Sequence, residues 1–587
     1  MTFARSTVVR MIKVSGTCAL LWLVPATVER PSAAAGGETR VRMKWDWTAA
    51  ATDAAGRRQR VPMIRDFSER QLISPEVVPA RLVSKVSGST RFWQQYLRRH
   101  AGRLAWYGRG RDAAPDPNAD LAVARDWSFS LNNGSGGTIS TPAKYVFDIN
   151  AAPSCTNDFV VTGVNIAGAA TQANLIGLNS LYNTPAGNGL CSGTAPKVMF
   201  AYNIGAGVIN SYVQLSLDGT KVAFSETGTN SYFHILRWAT GTGNGTSAAA
   251  AATPGSGNSA VDVKLPLTSG TSTAPYVEYD TDVAYVTTND NVVHKFTGVF
   301  RGTPAEVTGA GTGWPVSTGL GGATASLSTP VFDPVSKHVF FTDSDNGGIN
   351  YVDDSVVPAV VVTNKFYFAP GLTVAAPVMI DMTNQKVYAF SPNPGGGAAV
   401  VSQADTNLSA ASQVTVDVGL ASSNYAPLMG DFTEDYYNGV SATALLYVVG
   451  NNGTANRLPS LYAIGFNTSF KMNPTYSFGP LALTTNTAGI GASPVTAFYN
   501  STLSKQFLFI SVTNRCTTVI TGGCIRSIDV TSGFPTATSI NNVVLAATGG
   551  TGGISIDNVS PAAGASSVYY TTLTGKTLVK ATQAGLQ

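Results

Sequence analysis

The chain has 587 residues, long enough for several domains or for one large array of repeats. Hydrophobic residues make up 44%, charged residues only 12%, and glycine occurs 60 times, a composition that excludes a disordered chain and indicates a turn-rich globular one. The first 126 residues hold 21 Lys and Arg against 11 Asp and Glu, whereas the remaining 461 hold 17 against 23. A basic segment therefore precedes a mildly acidic body.

Residues 1–35 have the order of a secretory signal peptide. Basic residues come first, the apolar stretch 14–24 follows, and small residues end the segment at 32–35. The apolar stretch is short for a membrane span. We expect a secreted, periplasmic or cell-surface location, with an uncleaved interfacial anchor as the alternative. Cys18 lies inside the apolar stretch rather than after it, which argues against a lipoprotein.

Residues 36–120 are predicted to form a basic, partly helical arm and linker that does not share the repeat of the body. The helix candidate is residues 89–106 (STRFWQQYLRRHAGRLAW), where Phe92 and Tyr96 start an apolar stripe opposite Arg98. We expect this helix to dock on the body with its basic face in solvent. Contact with a membrane surface is the alternative, and nucleic acid is not an expected partner of an exported chain.

From residue 121 to 587 the chain consists of short apolar runs separated by turns, and its clearest repeat is residues 328–353. The first runs of the successive units begin near residues 144, 212, 275, 329, 376, 426, 493 and 553. Four-strand units repeated at this length predict an all-β fold, a single eight-bladed β-propeller, with seven blades or a stack of sandwiches as alternatives. The last unit has three runs, and residues 126–132 (DWSFSLN) are predicted to supply the fourth, so that strands from both ends close the ring.

Three stretches resemble the repeat of quinoprotein-like (PQQ-type) propellers, a group that usually forms eight-bladed rings. They are STPVFDPVSKHVFFTDSDNG at 328–347, APYVEYDTDVAYVTTNDNVVHKF at 274–296 and SVYYTTLTGKTLVKAT at 567–582. The stretches RDWSFSL, PSCTNDFVVTG, LSLDGTKVAF and VHKFTGVFRGTPAEVTG are similar to uncharacterised secreted bacterial propeller proteins. The resemblance implies a fold and no activity.

The dehydrogenases among the quinoproteins place their cofactor between a tryptophan and a disulfide of adjacent cysteines, with calcium beside it. This chain has no adjacent cysteines, and only Trp127, Trp238 and Trp314 lie in the body. We therefore expect no PQQ and no other organic cofactor, and calcium is the one candidate ion.

Four cysteines remain beyond the signal region, and they fall into two local pairs, Cys155 with Cys191 and Cys516 with Cys524. Four cysteines allow three connectivities, but the short loops favour these pairs. Two disulfides that hold hairpin loops agree with an oxidising compartment. Four buried thiols are the alternative.

Aspartates recur at the end of the predicted first strand in six units. They are Asp148, Asp280, Asp333, Asp381, Asp431 and Asp557. Because the innermost strands line the channel of a propeller, these side chains are candidates for a ring of acids at one channel mouth that binds a cation or a basic ligand. The alternative is that each aspartate accepts hydrogen bonds from the turn that follows its strand.

One turn has the composition of a calcium loop. Asp343, Asp345 and Asn346 are the candidate ligands, and Gly347 allows the sharp turn. The distant bidentate glutamate of such loops is missing, and a tight hairpin favours the same residues.

The four histidines, His100, His234, His294 and His338, show no local zinc spacing. His234 and His294 occupy similar third-strand positions in successive units, where histidines bonded to the backbone are the common case.

We assign no catalytic residue, and we predict a monomeric binding or scaffold module whose partner is a protein or glycan at the cell envelope. One alternative is a lyase, hydrolase or oxidoreductase at the channel mouth that uses His234, His294 and the acids. The other is an envelope assembly scaffold that resembles the propeller lipoprotein of the outer-membrane barrel-assembly machinery.

Overall fold

The computed structural model describes residues 26–29, 39–45, 60–107 and 123–586, with gaps at 184–188, 240, 268–269, 321–325, 345–346, 368–376, 394–395, 423–427, 485–490, 502, 538–539, 541–543, 561–563 and 584–585. Of the predicted signal peptide, only Ala26–Glu29 lies among these residues, and it forms a strand. Every helix within the described ranges is too short or too polar to span a bilayer.

The body folds into eight antiparallel sheets, which are numbered here as blades 1 to 8 in chain order. Blade 1 consists of Ala143–Val146, Phe159–Gly163, Leu175–Asn179 and Lys197–Tyr202. Blade 2 consists of Gln214–Leu215, Lys221–Glu226, Tyr232–Arg237 and Val261–Pro266. Blade 3 consists of Tyr276–Glu278, Val283–Thr288, Val292–Thr297, Ala305–Glu306 and Val316–Ser317. Blade 4 consists of Val331–Phe332, His338–Thr342, Gly348–Asp353 and Val360–Tyr367.

The second half of the ring repeats the same order of strands. Blade 5 consists of Met379–Asp381, Lys386–Ser391, Ala398–Asp405 and Val414–Leu420. Blade 6 consists of Asp431–Phe432, Leu445–Asn451, Pro459–Gly465 and Phe478–Ala482. Blade 7 consists of Thr496–Asn500, Lys505–Asn514, Gly522–Asp529 and Val544–Ala546. Blade 8 consists of Ser555–Asp557, Ser567–Thr571, Thr577–Gln583 and Val123–Ser130. The predicted eight-bladed propeller is confirmed, and the seven-bladed and sandwich alternatives are wrong.

Blade 4 shows why these residues form strands. Its second strand, HVFFT, is rich in β-branched and aromatic residues, and Phe340 and Phe341 are completely buried between neighbouring sheets. The turn before it is held by Asp333, whose carboxylate accepts hydrogen bonds from the main-chain nitrogens of Val335 and Ser336, both at 3.0 Å. Lys337 completes the turn at φ 66°. The repeated Pro–strand–Asp–turn phrase is therefore a structural unit of the blade.

The last blade takes its fourth strand from the start of the body. Val123–Ser130 runs antiparallel to Thr577–Gln583, with Trp127 opposite Lys580. Charged side chains lie buried beside this seam: Lys144 of blade 1 lies 3.2 Å from Asp557 of blade 8, and both side chains are at most 2% exposed.

Antiparallel connections assign the loops to two faces. Successive strands reverse direction, so the loops after the first and third strands of every blade share one face, here called the front face. Cys155 and Cys191 follow the first and third strands of blade 1 and lie on that face, with their Cα atoms 5.6 Å apart. Cys516 and Cys524, 5.8 Å apart, lie in the hairpin of blade 7 on the back face. Both predicted cysteine pairs are at disulfide distance.

The arm also has regular structure. Ala26–Glu29, Arg40–Trp45 and Val77–Pro79 form a small antiparallel sheet, and the 3₁₀ turns Phe67–Arg70 and Ala80–Leu82 precede the helices Val83–Val86 and Thr90–Tyr107. The short segments Ala410–Ser412 and Glu434–Tyr437 are the two further helical turns in the described body. The predicted helix at residues 89–106 is confirmed, whereas the basic side chains that the structure describes on it are not in solvent. Arg91, Arg98 and Arg99 are only 3%, 7% and 8% exposed, because the helix lies inside the ring.

We predict that Lys144→Met destabilises the ring. The substitution removes the cation that pairs with Asp557 and acts on the neighbouring Asp158 in a buried site, and breaking a buried ion pair costs about 3–5 kcal/mol. Guanidinium denaturation would measure the loss. Lys505→Met is the matched control, because Lys505 pairs with Asp529 at 3.7 Å on the surface and such pairs contribute about 1 kcal/mol or less. Equal losses in the two variants would contradict the prediction.

Candidate functional site

The channel of the ring is occupied by residues 60–107, here called the plug segment. Met63–Arg65 pairs antiparallel with the first strand of blade 1, and Leu72–Ile73 pairs parallel with the first strand of blade 5. The plug segment therefore satisfies main-chain groups on the innermost edges of two blades that lie across the ring from each other.

The 3₁₀ turn Phe67–Arg70 reaches the start of the first strands, toward the back face. The ring of Phe67 stacks on Tyr212 of blade 2 at 5.0 Å, and Phe67 is 1% exposed. Apolar residues of the plug segment also join the largest core cluster, in which Val86 and Phe92 belong with Val331 of blade 4. The segment thus fills the channel from the front face to the first residues of the inner strands.

Arginines connect the plug segment to blades that it does not pair with. Arg98 Nη2 donates to Asp431 Oδ2 at 3.0 Å and to the carbonyl of Ala497 at 2.8 Å. Arg70 Nη1 donates to the carbonyl of Val495 at 3.0 Å, and its Nη2 donates to the carbonyl of Ile554 at 2.5 Å. These contacts reach blades 6, 7 and 8.

The opposite side of the ring is held by Arg91. Its Nη2 donates to the carbonyl of Val277 at 2.5 Å and to Gln214 Oε1 at 3.1 Å. Its guanidinium carbon lies 4.6 Å from the ring centroid of Tyr276 and 4.9 Å from that of Tyr279. A guanidinium presents five donors in a plane, which suits carbonyls and aromatic faces together.

Burial affects these charged groups differently. It lowers the pKa of Arg65 and of Arg70 to about 10. Burial also acts to lower the pKa of Arg98, but the carboxylates of Asp431 and Glu69 outweigh it and the pKa rises. Burial raises the pKa of Glu69 despite its neighbouring arginines. The plug segment is therefore held by a charge network in a site with little water.

The six predicted channel-mouth acids lie on the front side of the first strands and have different partners. Asp431 binds Arg98, and Asp148 accepts from the main-chain nitrogen of Val61 at 3.2 Å. Asp280 accepts from the main-chain nitrogen of Thr90 at 3.1 Å, at the start of the helix Thr90–Tyr107, here called the plug helix.

The other three acids bind within the ring. Asp333 and Asp381 cap the turns of their own blades, and burial raises the pKa of both. Asp557 pairs with Lys144. A cation or basic ligand at this set of acids stays a prediction.

The predicted calcium loop is only partly described. Asp343 is 1% exposed, and its Oδ2 accepts from Asn350 Nδ2 at 2.8 Å. Asp345 and Asn346 lie outside the described residues. Across the described ranges, no three His, Cys, Asp or Glu side chains converge as a metal site, and calcium binding at this loop stays a prediction.

Each of the four histidines contacts a polar group of the protein. His234 of blade 2 contacts Asp262 Oδ2 through Nδ1 at 2.9 Å and Glu226 Oε2 through Nε2 at 3.2 Å. His294 of blade 3 contacts Glu306 through Nδ1 at 2.6 Å. His338 Nδ1 contacts the carbonyl of Thr406, and His100 contacts Glu76. The partners of His234 and His294 come from two different blades, so these contacts do not bring the two histidines into one site.

A small cleft opens on the front face between the plug helix and blades 6 and 7. Its enclosed volume is about 20 Å³, room for about one water molecule. Its lining consists of Gln95, Arg98, Arg99, Phe432, Glu434, Tyr437, Ala497, Phe498, Tyr499 and Gln506. Sequence reasoning missed this cleft, because its walls come from three separate parts of the chain.

Solved structures resemble this chain only at low sequence identity. No family model matches the chain, and no curated protein matches it significantly. The solved structure of Sqt1 from Chaetomium thermophilum is 12% identical, with 79% of this chain and 100% of that chain covered and a TM-score of 0.44. Sqt1 from Saccharomyces cerevisiae is 9% identical, with 78% and 99% covered and a TM-score of 0.45. The dihydro-heme d1 dehydrogenase NirN is 11% identical, with 75% and 77% covered and a TM-score of 0.36. These TM-scores are too low to support an argument about function, and the resemblance to PQQ-type repeats stays a prediction.

We predict that Arg98→Gln loosens the plug segment. The change leaves Asp431 without its cation in a buried site, which costs about 3–5 kcal/mol of the free energy of unfolding. Hydrogen exchange of the first strands of blades 6 and 7 should accelerate together with that of the plug helix. Arg42→Gln is the matched control, because Arg42 is exposed and its Nη2 donates to an uncharged acceptor, Asn438 Oδ1, at 3.1 Å. Unchanged exchange in Arg98→Gln would show that the plug segment does not depend on this ion pair.

We predict a pH-dependent contribution of His234 to stability. Burial acts to lower the pKa of His234, but its bonds to Asp262 and Glu226 outweigh burial and raise the pKa above 6.5. Its protonated form therefore stabilises the fold fully below pH 6.5, and this contribution is lost as the pH rises through the raised pKa. Glu226, which also contacts Lys264, has its pKa lowered to about 2 and stays charged throughout this range.

Urea denaturation of the wild type and of His234→Gln at pH 6 and pH 9 measures this contribution. We expect the substitution to destabilise the protein more at pH 6 than at pH 9. His338→Gln is the control, because Nδ1 of His338 is hydrogen-bonded to the main-chain carbonyl of Thr406. An equal or larger loss at pH 9 would refute the assignment.

Proposed function

We propose that this chain is an exported β-propeller that binds a protein or glycan at the cell envelope and acts there as a scaffold. The observation that carries the proposal is the plug segment. Because residues 60–107 fill the channel and their arginines bind the inner strands, the described residues offer a partner the loops of the two faces and the cleft between the plug helix and blades 6 and 7.

The face loops carry apolar side chains in solvent. Val519 is 89% exposed inside the hairpin that Cys516 and Cys524 enclose on the back face. Val357 is 81% exposed in the loop after the third strand of blade 4, on the front face. A loop that is held in one conformation loses less entropy when it binds, so these loops suit recognition.

Two disulfides support export. Both cysteine pairs are at disulfide distance, and such bonds persist in oxidising compartments outside the cytoplasm. The location at the envelope is part of the proposal.

Arrays of cell-envelope glycans and of peptides test the proposed function with the purified chain. We expect saturable binding to a defined subset, which Val519→Asp or Val357→Asp weakens by at least about tenfold, or about 1.4 kcal/mol. Val222→Ala, a substitution at a completely buried position of blade 2, is the control for nonspecific effects on folding. Turnover of glycans, peptides or alcohols in proportion to protein concentration would contradict the proposed scaffold function and indicate an enzyme.

A further inference from the structure

The exposed apolar side chains of the ring are concentrated on its front face. Nine large apolar side chains are exposed in the described part of the chain, and eight of them lie in a loop after a first or third strand or at the first residue of a fourth strand. Six of these are Val356, Val357 and Val360 of blade 4 and Val440, Tyr476 and Phe478 of blade 6. The other two are Leu190 of blade 1 and Val261 of blade 2. The ninth, Val519, lies on the back face.

The front-face loop at residues 354–359 of blade 4 is fixed at both ends. Asp354 Oδ1 accepts from Trp314 Nε1 at 3.0 Å, and the main-chain nitrogen of Ala359 donates to the carbonyl of Thr312 at 2.9 Å. Both contacts join the loop to blade 3. Val357, which lies between them, is 81% exposed. The apolar tip is therefore held in water by a loop that loses little conformational entropy when it meets a partner.

The exposed side chains are spread around the ring and do not form one patch, because blades 1, 2, 4 and 6 all contribute. Leu190 of blade 1 precedes Cys191, whose bond to Cys155 holds that loop. A protein interface concentrates its binding energy in a few clustered side chains near its centre. A flat bilayer can contact separate loop tips on all sides of a disc at once, and the small contributions add together. The distribution favours a membrane surface over a protein.

The arm reaches the same face. The strand Arg40–Trp45 lies there, because Arg40 Nη2 donates to Asn384 Oδ1 at 3.1 Å in a front-face loop of blade 5. The strand Ala26–Glu29 pairs with Arg40–Trp45. The apolar stretch 14–24 ends two positions before Ala26–Glu29 begins. An uncleaved interfacial anchor in this stretch would therefore start from the face that carries the exposed apolar side chains.

The exposed charges at this face are mostly basic. Among the described front-face loops and strand ends, the exposed charged residues are Lys197, Arg237, Arg301 and Lys337 against Asp218 and Asp280. Asp354, close to the exposed valines of blade 4, is paired with Lys295 at 2.7 Å. Basic side chains near a bilayer are attracted by anionic lipid headgroups. The charge of the front face therefore suits a membrane that contains anionic lipid.

We propose that the front face docks on a lipid bilayer, with loop tips such as Val357 and Leu190 at the boundary between headgroups and acyl chains. This inference rests on the proposed envelope location and goes beyond the proposed protein or glycan partner. Docking in this orientation leaves the back face, with Val519, to that partner.

Sedimentation of the full chain with vesicles of phosphatidylcholine and phosphatidylglycerol in equal amounts tests the inference. We expect saturable binding that Val357→Asp weakens by at least about tenfold, because the burial of valine is lost and the new carboxylate must be desolvated. Val519→Asp is the matched control, since it makes the same change at an 89% exposed valine of the back face, and it should leave vesicle binding unchanged. Because both positions are exposed, both variants should keep the thermal unfolding midpoint of the wild type.

A second variant distinguishes contact by the whole face from contact by one loop. Leu190→Asp should also weaken vesicle binding, because a flat bilayer contacts several sides of the ring together. Absence of vesicle binding, equal losses in Val357→Asp and Val519→Asp, or an unchanged affinity in Val357→Asp or Leu190→Asp overturns the inference.

The binding arrays and the vesicles give independent answers. Array binding without vesicle binding refutes the membrane contact and leaves the proposed function standing; if Val357→Asp then weakens peptide binding, the front face is a protein-binding surface instead. Vesicle binding with the expected losses and no array binding refutes the proposed protein or glycan partner and supports the membrane contact.

Discussion

The structure depends on hydrogen-bond partners for the main-chain groups of the innermost strands, which face the axis of the ring. Innermost strands present main-chain donors and acceptors to the channel, and such groups require partners when water is excluded. Here the partners come from the chain itself. Leu72–Ile73 extends blade 5 by main-chain pairing, while arginines donate to the carbonyls of Val277, Val495 and Ala497. The inner strands and the plug segment therefore supply each other's hydrogen-bond partners.

Burying arginines in a channel has a large free-energy cost of desolvation. Apolar side chains of similar volume are often as stabilising. Their value lies in geometry. Each guanidinium binds acceptors in fixed directions, and Arg70, Arg91 and Arg98 bind three different sectors of the ring. A plug segment shifted by one residue would lose all three sets of contacts together, so the arginines define one position of the segment in the channel.

The sequence predicts the parts of this fold that depend on local chemistry. Strand phrases such as HVFFT, the turn at Asp333 and the helix Thr90–Tyr107 are specified by neighbouring residues, and the structure has each of them. The surroundings of the helix are not specified in this way. The residue pattern of the helix distinguishes an apolar stripe from a basic face. The same pattern results whether the basic face contacts carbonyls and carboxylates or water. The sequence pattern therefore predicts solvent around Arg98, and it contains no signal for the cleft.

The plug segment also decides where recognition can occur. Its helix contributes Arg99 to the cleft, while Tyr437 and Phe498 come from blades 6 and 7. The cleft needs residues from all three parts, so it exists only when the plug segment is bound in the channel. A ligand that binds only the seated form stabilises that form by mass action. Occupation of the cleft would therefore also disfavour opening of the contacts that Arg98 makes with Asp431 and Ala497, which lie in the same part of the channel mouth.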